Sequence, residues 1–260
     1  VDDLCRRDFT INAMAYNDKR GLIDEFEGIK DLKDGIIRCV GDAGQRFDED
    51  ALRMLRAVRF AGQLGFEIDD NTRNAIVQRA DRLENISAER IRVELTKLLV
   101  AKEAGRLRDA YSTGMTRYFL PELDKAMVTE QKNPHHIYTV GEHSIHGIEI
   151  MNCFFEVTSD RKMYDKVPEK IMSTAKKIAK KMNKKQHTIL CMAMLLHDIA
   201  KPVVMTVDDD GTGHFYGHPQ ESEKMAKKIM RRLTFDNESI SKVCRLVKFH
   251  DYRIEDSNRA

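Results

Sequence analysis

From Asp48 almost to its last residue the sequence keeps a long, charged, helical pattern, and this restricts most of the chain to a helix-built fold. The first forty residues differ: β-branched and tight-turn residues crowd together there, and the character changes near Gly41. Ile36-Ile37-Arg38-Cys39-Val40 and Leu22-Ile23-Asp24 read as short strands flanking a turn-rich stretch from Glu25 to Gly35, and Phe9 to Tyr16 suits either strand or helix. Forty such residues cannot close a core alone. Helices are predicted at about 48–64, 70–83, 87–101 and 103–113, then a turn at Leu120-Pro121 and a polar connection through Asn133-Pro134. Further helices are predicted near 143–155, 168–182, 186–199, 219–232 and 237–250, interrupted by a Gly/Asp-rich excursion from Asp208 to Gly217. The expected fold class is mainly α with a small α+β portion at the N-terminus, and the expected domains are 1–40, 41–132 and 133–260.

With 260 residues, 42% of them hydrophobic, the chain can fill two modest cores, and its composition excludes disorder. The longest nearly apolar stretch, Thr188 to Leu196, is short for a membrane span, and Asp2 and Asp3 stand where a signal peptide needs basic residues. A soluble protein with no membrane contact is expected. Five scattered cysteines with no Cys-x-x-Cys pair suggest neither a disulfide framework nor a cysteine zinc site and fit a cytoplasmic setting. The net charge is only +2, so a nucleic-acid surface has to come from local clustering.

Such a cluster stands in Asp48-Glu49-Asp50-Ala51-Leu52-Arg53-Met54-Leu55-Arg56-Ala57-Val58-Arg59-Phe60. A helical wheel puts Arg53, Arg56 and Arg59 on an arc of about 120°, with Asp50 about 60° from Arg53. Cytosine and adenine both present an amino donor beside a ring-nitrogen acceptor, whereas uracil and guanine present a carbonyl beside an N–H. Asp50 accepting and Arg53 donating would select C and A together, leaving Arg56 and Arg59 free for phosphates. An ordinary amphipathic helix with solvated arginines and one intrahelical ion pair satisfies the same spacing.

The flanking residues add a resemblance. Arg6-Arg7-Asp8-Phe9-Thr10-Ile11-Asn12-Ala13-Met14-Ala15-Tyr16, then Leu22-Ile23-Asp24-Glu25-Phe26, then Arg46-Phe47-Asp48-Glu49-Asp50-x-x-Arg53-x-x-Arg56-x-x-Arg59-Phe60 resembles the bacterial tRNA nucleotidyltransferase/poly(A) polymerase family over roughly residues 1–130. The resemblance implies an enzyme adding C and A from CTP and ATP to tRNA 3′ ends. It implies that Arg7 contacts the incoming nucleotide, that Asp50 and Arg53 are the protein template, and that Arg56 and Arg59 help hold the nucleotide. It also implies transfer by two Mg2+ ions on an Asp-x-Asp pair in an N-terminal palm beside a Gly-rich loop. Neither element precedes Arg6, and Asp208-Asp209-Asp210 sits in a turn-rich excursion that reads as a solvated loop. The chain is therefore expected to begin inside the palm and not to transfer nucleotides by itself.

The second half carries His143, His197-Asp198, His218 and His250-Asp251, nitrogen and oxygen donors suited to a divalent transition metal. A charged pair ending the apolar run Ile189 to Leu196 needs strong compensation if buried, and a metal provides it; taken alone, the dipeptide is better read as a hydrogen-bonded core histidine beside a surface acid. His197-Asp198-Ile199-Ala200-Lys201-Pro202, His214-Phe215-Tyr216-Gly217-His218 and His250-Asp251 together resemble the HD phosphohydrolase superfamily over roughly 135–255. This resemblance implies His143, His197, Asp198 and Asp251 as ligands of Ni2+, Mn2+ or Fe2+, with His218 and His250 joining a second metal or contacting phosphate. It implies Lys201 as a phosphate-stabilising cation and a metal-activated water attacking a phosphoester; His146 competes with His143 for the first place. Lys176, Lys177, Lys180, Lys181, Lys184 and Lys185 form a basic face that suits tRNA or solvent alike. The reading is a CCA-adding enzyme portion with an HD domain. The alternatives are a poly(A) polymerase of the same family, a stand-alone HD phosphohydrolase with an RNA-binding relic, and an inactive HD scaffold. A homo-dimer is compatible with each.

Overall fold

A computed structural model describes residues 3–132, 137–155 and 167–251. In the N-terminal portion, 3-10 turns at Leu4–Arg6 and Thr10–Asn12 precede β1 (Ala15–Asn17) and β2 (Gly21–Ile23), which pair antiparallel with Ala15 opposite Ile23. The stretch expected to be turn-rich holds helix α1 (Gly28–Asp34). Its first N–H groups donate to the Asp24 carboxylate, Gly28 at 2.7 Å and Ile29 at 2.9 Å, a cap set back from the helix start. A Cβ on Gly28 would meet the Thr10 carbonyl oxygen at 2.3 Å. Gly28→Ala is therefore expected to destabilise the protein by about 1–3 kcal/mol, read as a lower urea midpoint.

β3 (Ile36–Ile37) leads to α2 (Ala43–Glu49) and α3 (Leu52–Leu64), and β4 (Glu67–Ile68) returns parallel to β3. The small N-terminal unit thus closes its core on the neck, with Phe9, Ile37 and Cys39 in one cluster with Phe47, Met54 and Val58. The helix expected from 48 to 64 is broken at Asp50, whose backbone is extended (φ −154°, ψ 101°) and whose carboxylate accepts the Leu52 N–H at 3.1 Å. The neck continues with α4 (Asp70–Arg79), α5 (Ala88–Leu99), α6 (Leu107–Ser112), α7 (Thr116–Phe119) and α8 (Pro121–Val128), the last with proline in its first turn.

The remaining helices are α9 (Val140–Phe154), α10 (Glu169–Ala179), α11 (Lys184–Leu196), the short α12 (Lys201–Val204), α13 (His218–Arg232) and α14 (Asn237–Lys248). A small antiparallel hairpin pairs β5 (Thr206–Val207), just before the Asp208 to Gly217 excursion, with β6 (Gly213–His214) inside it. The fold is mainly α, as expected. The Lys184–Val204 stretch has the length and hydropathy of a membrane span, yet 67% of its apolar window is buried within the protein, the setting of a core helix.

Asn133-Pro134, the expected boundary, lies outside the described residues. On either side of it, buried apolar residues of both halves form one cluster. Arg108 of the neck reaches Glu142 and Glu149 of α9, both at 2.8 Å, and Asn152 donates to the carbonyls of Leu99 and Ala101, both at 3.0 Å.

Candidate functional site

Two groups of polar side chains stand out. The first is the elbow where α2 meets α3. Arg46 donates to the Cys5 carbonyl at 2.8 Å and Arg53 to the Arg6 carbonyl at 3.0 Å, so the segment bearing Arg7 is tied to the elbow through main-chain oxygens. Arg7 itself is exposed and paired with Asp3 at 2.9 Å. Asp50 and Arg53 are not each other's partners: Asp50 pairs with Arg90 of α5 and Arg53 with Glu49, both at 2.7 Å. The wheel misplaces Asp50 because the helix breaks there. Arg56 is held by Asp8 at 2.6 Å. Arg59, expected to be free for phosphates, is instead buried, 2.6 Å from the buried Glu94 and with its guanidinium 3.6 Å over the Phe60 ring. Burial lowers its pKa from the ordinary arginine value while Glu94 works to raise it. Asp48 and Asp50 also stand two apart in sequence, but Asp48 is engaged by Arg79 and Arg82, so the two carboxylates serve different helices.

The second group surrounds Asp198, which is 1% exposed. His197 and Asp198 follow the last residue of α11, His218 opens α13, and His250 follows the end of α14. Each of the three rings uses Nδ1 in the same way, on the carbonyl three residues back: His197 on Met194 at 2.7 Å, His218 on Phe215 at 2.8 Å and His250 on Val247 at 2.7 Å. A carbonyl only accepts, so each Nδ1 carries the proton, and a neutral ring then presents its Nε2 lone pair. Those three Nε2 atoms converge on the Asp198 carboxylate at 3.2, 3.2 and 3.4 Å for His197, His218 and His250. His218 and His250 also face each other, Nε2 to Nε2, at 3.2 Å. Lone pairs aimed at one another and at a carboxylate repel unless a proton or a cation stands between them. Asp198 Oδ1 is moreover buried without a hydrogen bond.

Burial opposes ionisation of Asp198, yet the surrounding imidazoles, His197 foremost, hold its carboxyl far below the usual carboxylate range. Burial favours neutral His250, but Asp198 outweighs this and raises its pKa. His143 of α9 brings Nε2 to 3.9 Å from Asp198 Oδ2, whereas His146 is engaged by Glu149 at 3.0 Å and lies against Tyr138. Two ligand groups result, His143 with His197 and Asp198, and Asp198 with His218 and His250. These nitrogen and oxygen donors fit a divalent transition metal.

Two further expected site residues adjoin this cluster. Asp251 is exposed on the rim of the adjoining cleft, outside the two ligand groups, and the helix end turns His250 inward beside it. Lys201 is buried, with its ammonium 2.8 Å from both Asp198 and Gln131, the setting of an internal counter-ion. Gln131 was invisible as a site residue, being one polar residue in a polar connection. On the other side of His143, His197 and His250 lies an apolar cavity of about 990 Å3 between α9, α11 and α14.

His187 is a core histidine, bonded to Asn152 at 2.8 Å and lowered to about 4 by burial. Phe119 is buried, and Tyr111 and Tyr118 pack on the core. His135 and His136 lie outside the described residues. Cys5 is exposed, and Cys39, Cys153, Cys191 and Cys244 are buried.

Three family descriptions match the sequence: Poly A polymerase head domain over residues 1–38, Probable RNA and SrmB-binding site of polymerase A over 65–127, and HD domain over 168–259. The CCA-adding enzyme of Leuconostoc mesenteroides is 48% identical over 120 residues, 46% of this chain and 30% of the relative. That of Bacillus licheniformis is 52% identical over 124 residues, 47% of this chain and 31% of the relative. The chain thus spans under a third of the length of these relatives. Among solved structures, a tRNA nucleotidyltransferase complexed with a primer tRNA and an incoming ATP analog shares the fold, with a TM-score of 0.63 at 20% identity, covering 100% of this chain and 61% of that one.

Proposed function

We infer that a chain belonging to the CCA-adding/poly(A) polymerase nucleotidyltransferase family, with an appended HD domain, supplies the base-selecting and RNA-holding portion of an enzyme that adds C and A to tRNA 3′ ends. The observation that carries this reading is the elbow, where main-chain bonds from Arg46 and Arg53 hold the Arg7 segment beside Asp50. In it, Asp50 accepts from the amino group of cytosine or adenine and Arg53 donates to the ring nitrogen, exchanging their present partners Arg90 and Glu49 for the base. Arg7 and Arg56 face the triphosphate. Arg59 acts from the interior by fixing α3 against α5 through Glu94. Mg2+ belongs to the transfer step in the complete enzyme.

In the HD half, His143, His197, Asp198, His218 and His250 would hold Ni2+, Mn2+ or Fe2+, which when bound supplies Lewis-acid polarisation of a phosphoester. Lys201 orients the Asp198 carboxylate through their buried 2.8 Å ion pair. A stand-alone HD phosphohydrolase is the second reading, favoured by the assembled ligand group within this chain. A cytoplasmic setting goes with this reading, since scattered cysteines without a Cys-x-x-Cys pair suit a reducing compartment.

The test joins this chain to the palm of the Bacillus licheniformis relative and supplies tRNA lacking its 3′ end. Incorporation of C and A with little U or G is expected; A alone would shift the reading to a poly(A) polymerase. Asp50→Ala and Arg53→Ala are each expected to erode base selection by about tenfold, the scale of one bidentate pair, with triphosphate affinity changed by about twofold or less. Unchanged selection would remove the template role.

A further inference from the structure

We propose that the groove between α13 and α14 binds the phosphate backbone of RNA, independently of whether the HD centre is active. α13 carries Lys224, Lys227, Lys228, Arg231 and Arg232, and α14 carries Lys242, Arg245 and Lys248, against Glu221, Glu223 and Glu238. The groove has a volume of about 580 Å3, with Lys227 and Arg231 on one wall, Arg245 and Lys248 on the other, and Ile240 and Cys244 at its base.

Most of the nearby acids are turned to other cations. Glu221 holds Lys224, Asp236 and Glu238 hold Lys185, and Glu238 also holds Lys242, which leaves Glu223, 3.5 Å from Lys248, as the acid in the groove. Among the described residues Lys227, Arg231 and Arg245 have no ion pair. The neck treats its arginines differently: Arg59, Arg73, Arg79, Arg90, Arg106 and Arg108 are each matched to a carboxylate. Uncompensated cations on both walls of one groove focus a positive potential within it.

The rows repeat at about one helical turn, roughly 5 Å, and a guanidinium grips a phosphate through two parallel N–H bonds. A docking site for a protein needs a larger apolar centre than this groove offers, whereas nucleic-acid interfaces are polar and rich in positive charge. Arg245 and Phe249 line both this groove and the apolar cavity that reaches His143, His197 and His250. Phe249 is 54% exposed at that junction and offers a stacking face to a base. A strand lying in the groove is therefore led toward the histidine cluster.

The experiment uses the full 260-residue chain and fluorescein-labelled tRNA, with anisotropy titrations between about 50 and 200 mM salt. The triple variant Lys227→Gln, Arg231→Gln, Arg245→Gln is expected to bind at least about tenfold more weakly near 100 mM salt. The slope of log K against log salt is expected to fall by about 2–3, one step of roughly 0.9 for each lost phosphate contact. Lys227→Arg alone is expected to retain affinity, and so is a control variant with Lys176, Lys177 and Lys181 changed to Gln. Unchanged affinity and slope in a triple variant that melts like the parent would overturn the proposal. So would an equal loss in the control variant. A polyglutamate peptide that binds more tightly than tRNA and is lost in the triple variant would assign the groove to an acidic protein instead.

Discussion

Asp198→Ala is expected to leave the chain without bound transition metal, where the parent protein, purified without chelator and incubated with manganese or nickel, holds about one ion per chain. The effect should be close to complete because Asp198 is the shared member of both ligand groups and supplies their carboxylate. Three imidazoles with their Nδ1 protons fixed on carbonyls remain as neutral nitrogen donors, but the carboxylate that joins the two groups and offsets the charge of the ion is gone. The same change has a separate cost in the metal-free protein. Lys201 is 6% exposed and would keep only the uncharged Gln131 and the face of Phe215 as partners. A buried ammonium that loses its carboxylate destabilises by about 3–5 kcal/mol. Adding Lys201→Met to Asp198→Ala removes the stranded charge, so the double variant should recover most of the stability and none of the metal. Elemental analysis reads the first quantity and urea unfolding the second. Metal retained at the parent level in Asp198→Ala would dismiss the ligand assignment. Metal lost with no change in stability would dismiss the counter-ion role of Lys201.

The helices that sequence places to within three residues are those whose signals lie within one or two turns of chain. Thr139, Asn183 and Asp236 each cap the helix that follows by accepting its third N–H, and the amphipathic pattern fixes the rest of those helices. α1 escaped because its capping carboxylate, Asp24, stands four residues before the first helical residue and the intervening stretch reads as a turn. The elbow at Asp50 escaped for a related reason: the same residue satisfies the pattern of a continuous helix and the chemistry of a helix start, and only its backbone decides.

At the histidine cluster, residue types announced a metal-like group but not which member of each His-Asp pair faces inward. At 197–198 both do; at 250–251 the bond from His250 to Val247 turns the ring inward while Asp251 faces solvent. His218 is fixed by the same local bond, yet its distance from Asp198 depends on how α13 packs beside α14, which no short-range pattern encodes. Gln131 and Glu94 matter through partners seventy and thirty-five residues away, at Lys201 and Arg59, and have no local signature at all.

Glu94→Ala is expected to destabilise the protein by about 3–5 kcal/mol, the scale on which breaking a buried ion pair leaves a charge without compensation. Glu94 is 3% and Arg59 is 7% exposed, and their 2.6 Å contact is an ion pair that lacks the alignment of a hydrogen bond. With Glu94 gone, Arg59 would retain Gln63 at 2.6 Å and the face of Phe60, neither of which carries charge. Replacing both residues, Arg59→Met with Glu94→Leu, removes the two desolvated charges together and should return stability to within about 1 kcal/mol of the parent or above it. The urea midpoint is the measurement, at an unchanged dependence on denaturant so that the shift reports stability alone. The pair also bears on base selection. Arg90 and Glu94 lie four apart on α5 and therefore on one face, Arg90 holding Asp50 while Glu94 holds α3. If the charge pair only fastens α3 to α5, the double variant keeps both its stability and its preference for C and A in the palm-joined protein. If Arg59 itself reaches the nucleotide, the double variant stays folded and loses nucleotide affinity, and the interior role assigned to Arg59 falls.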